Sequence, residues 1–451
     1  MLTSSMGVFM KNCFALVLAL VYLIVLSGVA LALPYGPTDP APADPPKPPG
    51  PAGPGPAGPA ACGEIITEST VLTEDLHCPY HGLHIGADEI MLDCDGYAIY
   101  GPSLGLSDVG PIGINLTGRN SVVVQNCKVE GFGTNIYLYN STMNMLLQNE
   151  VSRGVFGIYL DGSSYNTLFN NTANYNNFTG VELYSGSEYN TVKYCEASHT
   201  STVDVWVAGS GFEVSNSNYN YLGDNNASYN RMDCFNLKSS GHNYLENNLA
   251  YNCTTGFELR LALHNTLLGN NATHNVNGMS LVAAYNKVEN NEIEWNDEHG
   301  IKMKVTDNNV IANNTILGNQ IGIGISEEFA TNNHNAIGQN TLMQNAYGLL
   351  LKGEWMQNEV FENTFVDNTE YGAYLVKSSG LEPTLNSFWM NVFIAQPMHT
   401  AYEGENVTMN RWDLGYNYSG NYWSDFELNP GYPNHYEIHG PGDGIDNYPV
   451  S

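Results

Sequence analysis

From residue 113 to residue 375 the chain repeats one short hydrophobic pattern. A small residue followed by apolar-x-apolar occurs at Gly113-Ile-Asn-Leu, Asn135-Ile-Tyr-Leu, Gly157-Ile-Tyr-Leu, Gly180-Val-Glu-Leu, Asp204-Val-Trp-Val and Cys234-Phe-Asn-Leu. It continues at Gly256-Phe-Glu-Leu, Gly278-Met-Ser-Leu, Gly300-Ile-Lys-Met, Gly322-Ile-Gly-Ile, Gly348-Leu-Leu-Leu and Gly372-Ala-Tyr-Leu. Most steps are 22 to 24 residues, with insertions before Cys234 and Gly348. Apolar side chains at the second and fourth positions give a period of two, the mark of a strand with one buried face. A second series stays in phase with the first: Asn126, Asn149, Asn171, Asn226, Asn248, Asn271, Asn291, Asn314, Asn340, Asn363 and Asn386. Asparagine tolerates the left-handed backbone of tight turns and can hydrogen-bond to its copy one coil away.

A unit this short has no room for a pair of helices, and the leucine pattern of leucine-rich repeats is absent. It suits one turn of a solenoid whose strands stack in parallel. The expected fold is all-β: a single-stranded right-handed parallel β-helix of about twelve or more coils. Twelve coils at about 4.8 Å each give a rod core of roughly 55–60 Å. Open solenoid ends expose unpaired strand groups, so each needs a cap. Cys62 to Pro111 reads as the N-terminal cap with the first coils, and the aromatic, Gly-rich residues 399–451 read as the C-terminal cap. Trp412, Tyr422 and Trp423 then read as a plug for the last coil. The solenoid with its N-terminal cap spans 62–398.

The first 61 residues differ in kind. Lys11 precedes an apolar run from Phe14 to Ala32 that ends in a small-x-small sequence. Residues 1–32 therefore read as a secretory signal or an uncleaved membrane anchor, and both place the remainder outside the cytoplasm. Residues 33–61 form a Pro/Gly/Ala-rich spacer, and any membrane attachment runs only through the apolar segment. Seven cysteines follow the signal region and suit an oxidising compartment. Cys62 can staple to Cys78 and Cys94 to Cys127, while an odd count leaves at least one thiol over. Ten Asn-x-Ser/Thr sequons, among them Asn115, Asn177 and Asn406, permit glycosylation.

Charge narrows the choice of partner. The chain carries 45 acidic and 15 basic residues, a formal net charge of −30, which excludes general nucleic-acid binding. The outward positions of the repeating strand form two columns. They gather Tyr137, Tyr139, Tyr159, Asp161, Glu182, Tyr184 and Trp206 early, then Lys238, Arg260, Lys302, Lys304 and Lys352. Five of the thirteen basic residues beyond the spacer fall in these columns. Such a face suits a polysaccharide, including an anionic one bearing uronates or sulfates, with rings stacking on sugars and cations meeting acid groups. Exposed strands also favour aromatic residues, and lysine blocks edge pairing, so the same pattern fits a non-catalytic adhesion scaffold or spacer.

Processing of the polymer is the further question. Glu258, Arg260, Lys302 and Lys304 are candidates for a lyase or epimerase, which needs a cation beside the developing carbanion and a base for the proton. Asp161, Glu182 and Asp204 are candidates for a carboxylate-based hydrolase. The Asp-Pro-His motif of alginate epimerases is absent, as are the Asn-Thr-Asp and Gly-His-Gly sets of polygalacturonase-like hydrolases. No cofactor is required. Asp425, Asp443 and Asp446 in a Gly-rich segment could supply oxygens to Ca²⁺, although their spacing is not that of an EF-hand. His77, His81 and His84 beside Cys78, and His435 with His439, lack the spacing of a zinc motif.

Two stretches carry a family resemblance. Cys62-Gly-Glu-Ile-Ile-Thr-Glu-Ser-Thr, Asp93-Cys94-Asp95-Gly96 and Gln125-Asn126-Cys127 resemble the opening of prokaryotic right-handed parallel β-helix proteins. Asn410-Arg-Trp-Asp-Leu-Gly-Tyr, Gly420-Asn-Tyr-Trp-Ser-Asp and Gly442-Asp-Gly-Ile-Asp resemble NosD-like members, many of them archaeal. With the repeats between, the resemblance covers roughly residues 62–451. It implies the β-helix and one of three activities: copper accessory, carbohydrate binding or carbohydrate processing. No Cys/Met/His cluster here matches the copper branch.

Overall fold

A computed structural model describes residues 60–103, 110–201, 209–324, 331–397, 399–415 and 420–450. The proposed signal and nearly all of the spacer lie outside the described residues. No helix among the described residues is long and apolar enough to cross a membrane. The chain winds as a right-handed parallel β-helix. One sheet holds fifteen strands, a second holds fourteen, and a third face is built from runs of four and nine joined through bridges at Thr172 and Glu196. Every pairing between coils is in parallel register, as in Phe235↔Phe257↔Met279↔Ile301.

The repeated pattern explains the first sheet. In Thr255–Arg260 the side chains of Phe257 and Leu259 point inward and are fully buried. Gly256 and its equivalents mark where one coil's backbone crowds the next. A Cβ on Gly300 would lie 2.7 Å from the carbonyl oxygen of Gly322. Cys234 takes this place in one coil, and its sulfur is bonded to Cys253.

Core volume is balanced across the lumen. Phe212, Phe235 and Phe257 stack in the first sheet with centroids 4.9 and 4.8 Å apart. The third face supplies Ala197, Ala227, Ala250 and Ala272 in this region. Toward the C-terminus the sizes reverse, with Phe365 and Phe393 on the third face and Ala373 and Ala401 in the first sheet. Close packing at constant cross-section requires this exchange.

Two places differ from the sequence expectation. The coil after Gly180 is not Asp204-Val-Trp-Val but Ser210–Ser215, whose Glu213 pairs with Glu182 and whose Ser215 pairs with Tyr184. The insertion therefore precedes Gly211, and residues 202–208, with Asp204 and Trp206, lie outside the described residues. The solenoid also runs past residue 398. His399–Glu403 is the fifteenth strand of the first sheet, and Tyr422–Trp423 still adds to the third face. The plug is then aromatic: Trp412 stacks on Phe388 at 4.2 Å, Trp423 on Phe393 at 4.5 Å, and Tyr436 on Trp423 at 4.1 Å. Tyr422 remains partly exposed.

The asparagines form ladders rather than one column. One runs Asn225, Asn248, Asn270, Asn291, Asn314, Asn340, Asn363, Asn391 and Asn421. Each Oδ1 accepts from the backbone N–H and the Nδ2 of the asparagine one coil earlier. Each Nδ2 also donates to a backbone carbonyl of the coil before, as Asn270 does to Leu245 at 2.9 Å. The left-handed backbone belongs to the preceding residue, such as Asn247 at φ 54° or Gly269 at φ 63°. Asn126 is such a turn residue, Asn226 and Asn271 begin strands of the third face, and Asn386 belongs to a separate ladder that includes Asn335 and Asn358.

The structure pairs Cys62 with Cys78 and Cys94 with Cys127, and adds Cys234–Cys253. Three disulfides are the chemistry of an oxidising, extracytoplasmic compartment. The seventh cysteine, Cys195, is free and buried inside the ladder, where the Asn171 N–H donates to its sulfur at 3.5 Å.

Two substitutions test the ladder. Asn270→Ala should lower stability by at least about 3 kcal/mol, since it strands several buried donors and acceptors. Cys195→Asn, which restores the missing rung, should raise the melting temperature. Denaturant and thermal unfolding check both, and equal stability of Asn270→Ala and wild type would contradict the ladder's role.

Candidate functional site

The outward face of the fifteen-stranded sheet carries the residues singled out from the sequence. Parallel register stacks the third strand position as Tyr137, Tyr159, Glu182, Glu213, Asn236, Glu258, Ser280 and Lys302. The fifth position runs Tyr139, Asp161, Tyr184, Ser215, Lys238 and Arg260.

The early coils form an aromatic platform. Tyr137 lies 6.2 Å from Tyr139 and 5.6 Å from Tyr159, and Tyr159 lies 6.0 Å from Tyr184 at a tilt of 43°. Tyr139 and Tyr184 are exposed. Burial and the neighbouring Asp161 push the Tyr137 hydroxyl up to about 12, so it remains a hydrogen-bond donor at any physiological pH. Burial also raises the Asp161 carboxyl.

The middle coils hold a carboxylate cluster. Glu182, Glu213, Asp233 and Glu258 are all buried although they sit on the outer side of the sheet. Burial, reinforced by Glu213, pushes Glu182 up to about 8. Burial likewise raises Glu213, which Lys238 partly offsets. Asp233 is pushed up to about 7 by burial and by Glu258. Oε2 of Glu182 and Oε2 of Glu213 have no hydrogen-bond partner among the described residues. Glu258 differs, because Arg260 holds it through Nε at 3.3 Å and Nη2 at 3.1 Å. The cluster thus places carboxyls that keep their protons near neutral pH beside one that is ion-paired, with Lys238 and Arg260 at the same coils. Such a set can donate and accept protons.

Sequence reading found Glu182, Glu258, Lys238 and Arg260 but missed Glu213 and Asp233. Glu213 was legible in Gly211-Phe-Glu-Val, which has the repeat pattern but sits one insertion later. Lys302 stands two coils from Glu258 in its column, and Lys352 pairs with Val376 further on. Lys304 follows the strand His299–Met303. Glu258, Arg260 and Lys302 therefore lie across three successive coils, with Lys304 next after the third coil's strand. Trp206, read into the same columns, and the hydrolase candidate Asp204 lie outside the described residues.

A second aromatic feature was not anticipated. Tyr165, Tyr189, Tyr219, His242, His264 and Tyr285 stack at one corner with centroid spacings of 4.9–5.1 Å. All six have positive φ. Their faces cover one another, so this column offers edges rather than a platform.

Asp425, Asp443 and Asp446 are not gathered as ligands. Asp446 is buried and accepts from Asn421 N–H at 2.7 Å and Trp423 Nε1 at 2.9 Å. Asp425 accepts from Thr400 at 2.8 Å and from the Tyr436 hydroxyl at 3.0 Å. Asp443 acts on Glu403 instead, adding to the burial that raises that carboxyl. Among the described residues no group of three His, Cys, Asp or Glu side chains could hold a metal ion. His77 stacks on Tyr100, and the Nδ1 of His81 accepts from the Ile112 N–H at 3.1 Å.

This architecture defines a right-handed β-helix repeat protein, and residues 104–207 match the family described as right handed beta helix region. Residues 198–346 and 324–428 match the family described as periplasmic copper-binding protein (NosD). These two matches together span just over half the chain, which belongs to the NosD family. No curated protein matches the sequence. Among solved structures, the periplasmic alginate epimerase AlgG is similar at 13% identity and a TM-score of 0.47, over 66% of this chain and 76% of that one. The Azotobacter vinelandii mannuronan C-5 epimerase AlgE4 A-module is similar at 15% identity and 0.44, over 76% and 91%. The catalytic domain of a GH87 alpha-1,3-glucanase is similar at 15% and 0.36, over 78% and 58%. Likeness at this level concerns the winding of the chain and not its chemistry.

Copper, named in the family description, does not fit the residues present. Among the described residues six cysteines are in disulfides, and burial pushes the one other thiol, Cys195, up to about 11. The described residues hold no ligand set of histidines, cysteines and carboxylates.

The carboxylate cluster makes stability depend on pH. Glu182 titrates near 4.5 when unfolded and near 8 in the fold. Its contribution is therefore whole below about 4.5 and is lost as pH rises through about 8. Glu213 and Asp233 are displaced in the same direction. The melting temperature should fall between about pH 5 and pH 8.5, and Glu182→Gln should flatten that fall. Thermal melts across this range check it, and identical slopes for the two proteins would contradict the assignment.

Proposed function

We propose that this chain binds polysaccharide along the outward face of its fifteen-stranded sheet. One observation carries the reading: the tyrosine platform and the carboxylate–cation cluster share a single continuous face in strict parallel register. Tyrosine rings supply apolar faces for sugar C–H groups, and their hydroxyls supply donors. Protonated Glu182 can donate a hydrogen bond to a sugar oxygen, while Lys238 and Arg260 can meet acid groups on the polymer. Buried outward-facing carboxyls cost stability, and a binding surface gives them a use.

The same cluster supports processing of the bound polymer. Glu182 or Glu213 would deliver a proton to the glycosidic oxygen as its C–O bond breaks, and the ion-paired Glu258 would take a proton either from the water that forms the new C–O bond or from the sugar carbon that forms a C=C bond. Binding and turnover separate experimentally, because binding needs the platform while turnover needs the carboxyls.

Titration calorimetry with uronate and neutral glucan polymers tests the binding. Tyr139→Ala combined with Tyr184→Ala, and Lys238→Ala combined with Arg260→Ala, should each weaken binding at least about tenfold. Tyr285→Ala, in the corner stack, should leave it unchanged. Unaltered affinity in both double variants sinks the reading. Turnover appears as new reducing ends or as unsaturated-product absorbance, and Glu182→Gln together with Glu213→Gln should abolish it.

A further inference from the structure

The same face carries a second aromatic platform near the other end of the solenoid. Tyr347 pairs with Tyr371, which pairs with His399, and Tyr374 pairs with Tyr402. The rings meet on the outer side of the sheet. Tyr347 and Tyr371 lie 5.8 Å apart, Tyr371 and Tyr374 4.4 Å, and Tyr374 and Tyr402 5.1 Å. All four are half-buried. Burial raises the hydroxyls of Tyr347, Tyr371 and Tyr374, so they too are donors.

Between the platforms the described outward positions hold no tyrosine, tryptophan or phenylalanine. The third position runs from Glu213 through Asn236, Glu258, Ser280, Lys302 and Gly324 to Leu350. From the Tyr184 strand to the Tyr347 strand is seven coil steps, or about 34 Å. A sugar unit in an extended chain is about as long as one coil is high, about 5 Å. The gap therefore takes about seven sugars, with at least one more at each end.

We propose that the ligand is a long, extended glycan lying along the solenoid axis and gripped at both ends, over the carboxylate–cation cluster. A short oligosaccharide occupies one platform at a time. A chain long enough to reach both gains from the second contact being intramolecular. The site thus selects polymer over oligomer by length, with the cluster facing the bound segment from the Tyr184 strand to three coils beyond it. For any processing this predicts internal attack rather than trimming from an end. The proposal rests on the glycan reading above and adds length, direction and a second binding element.

Size-fractionated oligogalacturonates and cello-oligosaccharides of four and twelve units provide the probe, measured by calorimetry on the secreted chain. In the series that binds, the twelve-unit chain should bind at least about 100-fold tighter than the four-unit chain, at one per protein against two. Tyr374→Ala with Tyr402→Ala should remove most of that advantage and leave one four-unit site. Retained four-unit binding, lost when Tyr139→Ala and Tyr184→Ala are added, shows that the variant is folded. Equal affinity for both lengths, or an unchanged length advantage in the C-terminal double variant, overturns the two-platform proposal while leaving glycan binding in place. Failure of both series to bind overturns the glycan reading and this one with it.

Discussion

Every corner of this solenoid has the same difficulty: tight turns leave backbone N–H groups inside the protein, without strand partners and without water. An unpaired buried amide costs more than a typical hydrogen bond returns. Asparagine answers this because its side chain copies the peptide group, one acceptor and two donors on a short stem. Asn248 shows the arrangement: its Nδ2 donates to Leu222 O in the coil before and to Asn270 Oδ1 in the coil after. Its own Oδ1 is filled by Asn225. Each rung depends on its neighbours, so the ladder fixes the angular register of successive coils. The faces outside inherit that register.

This dependence explains what the sequence made legible. The apolar-x-apolar pattern is set by burial in the lumen, so it survives wherever the lumen is continuous, and Phe257/Leu259 or Ile301/Met303 reveal it directly. The outward columns follow from that phase alone, and Tyr137 over Tyr159 over Glu182 could be stacked without coordinates. Asn226 and Asn271 were harder, because neighbouring asparagines in Asn225-Asn226 and Asn270-Asn271 do different jobs. One fills the ladder and the other begins a strand, and composition does not distinguish them.

The missed Glu213 has another cause. Between Gly180 and Gly211 the chain carries extra residues, and Asp204-Val-Trp-Val inside that stretch imitates a coil at nearly the expected spacing. Local pattern favoured the imitation; the pairing of Glu182 with Glu213 excludes it. Parallel strands reward one register over another through every stacked pair at once, which a four-residue pattern cannot record. Cys234–Cys253 was hidden in the same way, since Cys234 occupies a position that elsewhere belongs to glycine. Its partner follows from closeness in space and not from spacing in the sequence.

Stability and site chemistry pull against each other on this one face. The ladders and the aromatic core use nearly neutral groups, and they make the rod insensitive to charge along most of its length. Among the described residues, only the coils from Glu182 to Glu258 bury several carboxyls on the outer side, where a solvated strand would ordinarily carry threonine or tyrosine. A solenoid tolerates this because each coil is held mainly by its two neighbours, so a local cost is shared with well-packed repeats on either side. Regular repetition elsewhere is therefore what permits irregular chemistry here. Glu182 stands on the last strand of one tyrosine cluster and Glu213, Asp233 and Glu258 follow it toward the other, which gives that irregularity a direction along the rod.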